Sequence, residues 1–328
     1  MRTRNLVPAI LLATALAVLA TSSTKAQVRP AGPQVISAKD AGKLIGRKVF
    51  VATGSAMPTS LIRPMREFAL SRNYRTDVFY MSTFAGSANF TPEVAAKFHP
   101  NLFFVSMSNR EAASKGHATI VRDSLFKLGQ RIERGEFAFD TVAVRVSPPN
   151  KDGLVSLGTT GDLTMSAIKD VLGRGGHVIA EVNPNVPFTT GNNRLRYDQL
   201  AAVYENADPL PELTQMAPNV AEAHLAKNVA KLVPNRRRST IQVGIGGSLV
   251  GIGEALKSKR LRIWSEMGSD WVLPVMSGPK PAAREGTFSF LHGTTALFRH
   301  ADKNPNVRID SSLVVNDPKV IAAQKRMV

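Results

Sequence analysis

The chain has 328 residues, 43% of them hydrophobic and 20% charged, with 24 Gly, 20 Pro and no Cys. Such a length supports about two domains with real cores and excludes a disordered, collagen-like or disulfide-stapled chain, and without Cys there is no thiol nucleophile, thiolate zinc site or iron–sulfur ligation. Lys and Arg number 42 against 25 Asp and Glu, a formal charge of +17, which favours anionic partners and says nothing about fold.

Residues Met1 to Ala26 read as a targeting segment. Arg2 and Arg4 make a basic start, Leu6 to Ala20 is apolar apart from Thr14, and Thr24-Lys25-Ala26 resembles a small-residue cleavage site. That pattern fits a secretory signal peptide, and its apolar run is short for a membrane span. Two rivals stay open. An organellar presequence would explain why no acidic residue precedes Asp40, and an upstream start codon would make the stretch an addition to a cytosolic protein. No later segment approaches spanning length, so the chain without its leader is expected to be soluble.

From Gln34 onward, short apolar runs alternate with helical patterns. Strands are expected at Lys48–Ala52, Asp77–Met81, Leu102–Ser106, Thr141–Val146 and His177–Val182, and helices at Thr59–Leu70 and at Asp162–Leu172, the latter capped by Asp162. Strands separated by helices of this size argue for parallel βαβ units and an α/β sheet. Phe188 to Pro218, rich in Pro, Asn and Thr, reads as a connecting segment. A second α/β unit then begins with a helix at Ala221–Leu232, a strand at Thr240–Val243, a glycine loop, a helix through Lys257 and a strand at Leu261–Trp264. The boundary is placed near residue 200, which divides the chain into a leader (1–26), an N-terminal α/β domain (34–200) and a second one (201–328). Asp317-Pro318 starts a final helical pattern (Val320, Ile321, Met327, Val328) that ends without Gly, cap or polar tail.

Candidate chemistry gathers in the second unit. Gln242-Val-Gly-Ile-Gly-Gly-Ser248 follows a strand and opens a helix, so its backbone N–H groups are placed to meet an anion. A dinucleotide fingerprint needs Gly-x-Gly-x-x-Gly, and the sixth position from Gly244 is Leu249; no P-loop or Gly-x-Ser-x-Gly elbow occurs either. Glu266, in Trp264-Ser-Glu-Met-Gly-Ser-Asp270, is expected just beyond the end of a strand, where open α/β sheets bind ligands. It also sits at the spacing of a ribose-binding acid, which keeps a nicotinamide reading as a near miss. A carboxylate beside backbone donors can attack an activated acyl group; by default such a residue is a surface or ion-paired acid. Two further loops stand out, Val146-Ser-Pro-Pro-Asn-Lys-Asp-Gly-Leu-Val-Ser-Leu-Gly158 and Asn183-Pro-Asn-Val-Pro-Phe-Thr-Thr-Gly191.

Those two loops, the IQVGIGG and WSEMGSD stretches and the late VVNDPKVIA together resemble the acetyl-CoA hydrolase/transferase family, which includes the acetate, succinyl and 4-hydroxybutyrate CoA-transferases. The resemblance runs from about Val35 to Val328 in the family's order. It implies two similar CoA-transferase-type α/β domains with a site between them. It assigns Glu266 as the nucleophile toward an acyl-CoA thioester, through an acyl anhydride and a glutamyl-CoA thioester that a carboxylate resolves. Val243, Gly244, Ile245, Gly246 and Gly247 carry over as coenzyme A contacts. Family members continue past the VNDP-like motif into an Asn-containing segment and a second glycine-rich loop, so the second domain is expected to be incomplete. Where the family's glycine loop continues with polar or Pro residues, this chain has Ser248-Leu-Val-Gly.

The expected function is therefore a CoA-transferase acting on acetyl-CoA or a related short acyl-CoA in acetate metabolism, with coenzyme A as substrate and no permanently bound cofactor. The alternatives are an acyl-CoA hydrolase, a truncated inactive relative, and an exported basic binding protein. Arg236-Arg-Arg238 and Lys257-Ser-Lys-Arg-Leu-Arg262 are candidates to attract the phosphates of coenzyme A, or are simply solvated ends. No recognition motif accompanies them, so no nucleic-acid partner is expected. The six His (99, 117, 177, 224, 292, 300) lack paired ligand spacing, so no metal is expected. A homodimer is compatible with this reading. The leader points to export, the chemistry to cytoplasm or mitochondrial matrix.

Overall fold

The computed structural model describes residues 32–82, 89–235, 238–244 and 249–327. The leader, Arg236 and the glycine-loop positions Ile245, Gly246 and Gly247 lie outside the described residues.

The first half runs β1 (Gln34–Val35), α1 (Ala38–Gly42), β2 (Lys48–Val51), α2 (Thr59–Leu70), β3 (Thr76–Tyr80), α3 (Pro92–Lys97), β4 (Phe98–Leu102), α4 (Arg110–Ser114), β5 (Thr119–Ile120), α5 (Leu125–Glu133), β6 (Thr141–Val146), β7 (Leu154–Ser156), α6 (Thr164–Gly173) and β8 (His177–Val182). The segment read as a connector holds β9 (Thr190–Gly191), β10 (Arg194–Arg196) and β11 (Ala202–Glu205). The remainder is α7 (Val220–Leu232), β12 (Ser239–Ile241), α8 (Leu249–Leu256), β13 (Leu261–Gly268), α9 (Val272–Met276), β14 (Ala283–Leu291), α10 (Thr295–Ala301), β15 (Val307–Ile309), α11 (Ser312–Val315) and α12 (Pro318–Ala322).

Strands this apolar have no side to turn toward water, so both faces must be covered, the signature of a parallel sheet under helices. The first sheet is parallel throughout, in the order β1-β11-β8-β6-β2-β3-β4-β5. Side chains alternate between its two faces. Phe50, Phe79, Val142, Val144 and Val178 fill one core, with Phe103, Phe137 and Phe139. Val49, Val51, Val78 and Tyr80 fill the other, under Leu61, Ile62 and Met65 of α2. Each such side chain contributes about 1.5–3 kcal/mol by leaving water. Strand order reverses between β2 and β6, which opens a crevice beyond their C-terminal ends, where sheets of this kind take ligands.

A second parallel sheet has the order β12-β13-β14-β15-β9 around a core that includes Trp271, Phe288, Leu291 and Leu297. Its edge strand β9 comes from the middle of the chain. Gly191 there has φ +119°, and a Cβ would stand 1.9 Å from the Ile309 carbonyl oxygen, so only glycine lets β9 lie beside β15.

The segment Thr159–Asp162 fastens the sheets together. Gly161 and Asp162 both donate N–H to the Ser289 carbonyl, at 2.9 and 3.1 Å, and Leu291 N–H donates to Thr159 O at 2.8 Å. Residues 32–327 fall within one compact unit.

Several boundaries differ from the sequence reading. The strand expected at Leu102–Ser106 is β4, which ends at Leu102. Its Phe-His-Pro-Asn-Leu sequence is a weak strand former, and pairing with β3 overrides that preference. β14 went unforeseen because its first half carries exposed Arg284 and Glu285 plus a glycine. The helix expected from Asp162 starts at Thr164, and its N-cap position is Leu163, without a side-chain bond. The final helix ends at Ala322, and Met327 instead bridges to Thr240 beside β12.

Candidate active site

β13 alternates strictly. Leu261, Ile263, Ser265 and Met267 are buried, whereas Trp264 and Glu266 on the opposite face are half-buried. The strand continues to Gly268, so Glu266 stands within its last turns rather than beyond its end, a correction to the expected boundary at Trp264. Extension is favoured because β14 pairs along its length, with Ser265 opposite Phe288 and Met267 opposite Phe290.

The face that carries Glu266 is covered by α11. Trp264 Nε1 donates to the Val315 carbonyl at 2.9 Å, which fixes the end of that helix over the strand. Asn316, the next residue, donates from Nδ2 to Glu266 Oε2. Its Oδ1 is buried without a hydrogen-bond partner. Glu266 Oε1 has no donor among the described residues. Burial pushes the Glu266 carboxyl above the ordinary carboxylate range; the negative charge of Asp162 adds to this and the Asn316 bond opposes it. The result is a carboxyl group that is partly desolvated and held by one amide, with its second oxygen unbonded among the described residues.

Ser265, the neighbour, clasps the glycine loop. Its Oγ accepts the Val243 N–H at 3.2 Å and lies 3.0 and 2.8 Å from the carbonyls of Val243 and Met267, either of which can take its proton. Val243 and Gly244 are thereby set beside the strand bearing Glu266. A Cβ at Gly244 would meet nothing within 4 Å among the described residues.

Asn316 and Asp162, which sequence reasoning did not single out as site residues, join this group, and His292 is tied to the end of β13 by its N–H to Gly268 O at 3.0 Å. Asn316 lay in the VVNDPKVIA stretch, but its contact with Glu266 spans 50 positions and no local spacing announces it. Asp162 is fully buried beside Thr53 and Thr164. His292, at the end of β14, is buried and its pKa is lowered to about 4, so it is neutral at physiological pH. Gly54, with φ +56°, lies so close that a Cβ would fall 2.5 Å from His292 Nε2.

The second basic stretch lies away from Glu266. Lys257 pairs with Glu254 and Arg262 with Glu285, while Lys259 donates to the Val233 carbonyl. Arg262 stands four residues before Glu266 on the same strand, about 13 Å away. The run is therefore partly paired and sits at the start of β13, away from Glu266.

The two recognisable loops build a separate cleft of about 810 Å³. Its walls are Ser147–Lys151, Pro184–Phe188 and the helix face carrying Phe298 and Arg299, over a small apolar floor of Val186, Leu210 and Phe298. Lys151, Arg299 and Lys303 stand around it without ion pairs among the described residues. Neither Glu266 nor Val243 nor Gly244 lines this cleft.

Comparison with known proteins places this geometry. The chain is 28% identical over 293 residues to a succinyl-CoA:acetate/propanoyl-CoA:succinate CoA transferase of Fasciola hepatica, covering 86% of this chain and 60% of that protein. It is 30% identical over 252 residues to a 4-hydroxybutyrate coenzyme A transferase of Clostridium kluyveri, covering 74% and 57%. The chain thus spans less than two thirds of the length of these relatives. In fold it is similar to the crystal structure of RipA from Yersinia pestis, with a TM-score of 0.82 at 20% identity over 90% of this chain and 72% of that one. The acetyl-CoA hydrolase/transferase N-terminal domain matches residues 33–209, more than half of the sequence, and the chain belongs to that family.

Proposed function

We propose that the protein transfers coenzyme A from a short acyl-CoA to a carboxylate, with Glu266 as the group that becomes acylated. The observation that carries this reading is the state of Glu266: half-buried, raised in basicity, held through one oxygen by Asn316 and open at the other. A carboxylate is a weak nucleophile in water, and partial loss of solvent with a fixed orientation makes it a better one.

In this scheme Glu266 Oε1 attacks the thioester carbonyl carbon. The C–S bond breaks, coenzyme A leaves as thiolate, and an acyl-glutamyl anhydride remains. The thiolate then attacks the glutamyl carbonyl carbon and expels the acyl group as its free carboxylate. An acceptor carboxylate reverses the two steps on the resulting glutamyl-CoA thioester. No net proton is consumed, so the requirement is an ionised Glu266. The relatives act, by their names, on succinyl-CoA, acetate, propanoyl-CoA and 4-hydroxybutyrate. Acetyl-CoA and other short acyl thioesters are accordingly the first substrates to try. Hydrolysis requires water at the same intermediates, and the partial burial of Glu266 works against it.

The test is covalent. After incubation with acetyl-CoA, the peptide containing Glu266 should gain the mass of coenzyme A less one water, and Glu266→Gln should gain nothing. Coenzyme A binding by calorimetry without any adduct on that peptide would overturn the reading.

A further inference from the structure

The carboxyl group of Asp162 has no part in the scheme above, yet it is built into the same corner of the molecule with more connections than Glu266 itself. Its side chain is fully buried. Oδ1 accepts the Thr164 N–H at 2.8 Å and the Thr164 hydroxyl at 2.7 Å, while Oδ2 receives the Thr53 hydroxyl. Full burial pushes the Asp162 carboxyl above its ordinary range, and the Thr164 amide with the two hydroxyls makes a three-donor cage that opposes the shift and favours the carboxylate ion.

The main chain of Asp162 bonds on both sides to the elements that hold Glu266. Its N–H reaches Ser289 O, at the level of Glu266 on the neighbouring strand, and its carbonyl accepts the Ser312 N–H at 3.1 Å. Ser312 begins α11, and Asn316 N–H bonds back to Ser312 O at 2.9 Å. The two partners that define Glu266, β14 and the Asn316 amide, therefore both hang on Asp162.

We infer that Asp162 is a positioning residue for Glu266, fixing the strand and amide that orient it and placing a second buried carboxyl group beside it. This rests on the reading of Glu266 as nucleophile. Other charged groups on the surrounding elements are spent elsewhere. Arg262 and Glu285 pair at the far end of β13 and β14, Asp270 accepts from Thr294, Arg308 pairs with Asp310, and Asp317 caps Lys319 N–H. His292 is neutral. Asp162 is the charge whose field acts on Glu266, in the sense that disfavours its ionisation. A carboxylate made more basic is a stronger nucleophile once ionised, at the cost of a higher pH for ionisation.

The experiment is a ¹³C titration of the full chain labelled at Glu and Asp side chains, with Glu266→Gln to assign the signal. In Asp162→Asn the amide can keep bonds to Thr164 and Thr53 while losing the charge, and the Glu266 midpoint should fall. Thr53→Val, which keeps the carboxyl but removes one donor, should move Glu266 the same way by less. Adduct formation from acetyl-CoA, followed against pH, should show its acid limb displaced downward with the titration and its plateau lowered. A lower plateau with an unmoved midpoint in both variants would mean that Asp162 is only structural, and would overturn the inference. A moved midpoint without adduct in any variant, wild type included, would sustain the placement of Asp162 and overturn the nucleophile reading instead.

Discussion

Each sheet carries a glutamate withdrawn from solvent near the C-terminal end of a strand, Glu181 and Glu266, and the two are treated in opposite ways. Glu181 on β8 is fully buried and saturated. Arg145 Nε donates to it, Ser60 Oγ at 2.5 Å and Tyr204 Oη at 2.9 Å donate to its other oxygen, and Asn183 Nδ2 stands at 3.3 Å. Arg145 in turn reaches Thr59 at the start of α2 with 2.6 Å. Glu266 on β13 is half-buried and has one amide. A carboxylate whose lone pairs are all engaged is a structural fastening, in this case between α2 and the sheet. One left with a free oxygen retains capacity for chemistry and contributes little to the fold.

Breaking the contrast should give effects of very different kinds. The largest is chemical: Glu266→Gln should lose adduct formation and acyl exchange entirely, by mass spectrometry and by label exchange, while its unfolding free energy stays within about 1 kcal/mol of wild type. The sign of that small change is set by linkage. The folded protein holds the proton of Glu266 more tightly than the unfolded chain, so the carboxyl lowers stability as pH rises through its folded midpoint. The Gln variant should therefore be slightly the more stable of the two above that midpoint.

Next in size, and purely structural, is Arg145→Met. It leaves Glu181 buried without its cation and should cost about 3–5 kcal/mol, read from the urea midpoint. Replacing Glu181 by Met as well should restore much of that loss, because the desolvation cost disappears with the charges. If the single variant unfolds no more easily than wild type, the distinction between the two glutamates fails.

Smaller effects sharpen the Glu266 side. Asn316→Ala removes the bond that favours the ionised form, so the Glu266 midpoint should rise, opposite to the shift expected for Asp162→Asn. The rate of adduct formation below that midpoint should fall about 10-fold for each unit of rise. Trp264→Phe removes the N–H that ties Val315 to β13, together with part of the ring, and should cost at least about 0.5–1.5 kcal/mol in thermal or urea unfolding. Its rate should fall less than that of Asn316→Ala, since the amide remains and only its tether is lost.

The sequence carries these features unequally. α2 spans Thr59–Leu70 as its apolar spacing predicts, and β6 and β8 fall where their apolar runs end. The motif singles out Glu266 and the glycine pattern Val243 and Gly244, and the structure brings the three to neighbouring positions at β13. β9, β10 and β11 were hidden because strands of two to four residues leave no periodicity to detect. The half of β14 that shows Arg284 and Glu285 to solvent looks like a loop until β13 pairs with it. The bonds that define the candidate site join residues far apart in the chain: Asn316 to Glu266, Thr53 to Asp162, Gly161 to Ser289. No pattern confined to one stretch of sequence could report them.

The course of the chain between β8 and β11 limits how the molecule can breathe. After leaving the first sheet it contributes an edge to the second, pairs β10 with β7, and returns to the first. Lobes threaded in this way cannot swing apart about a single pivot without tearing Gly191 from β15 and Gly161 and Asp162 from Ser289 together. Any route by which a bulky thioester enters must then come from rearranged surface loops, with the seam itself staying shut.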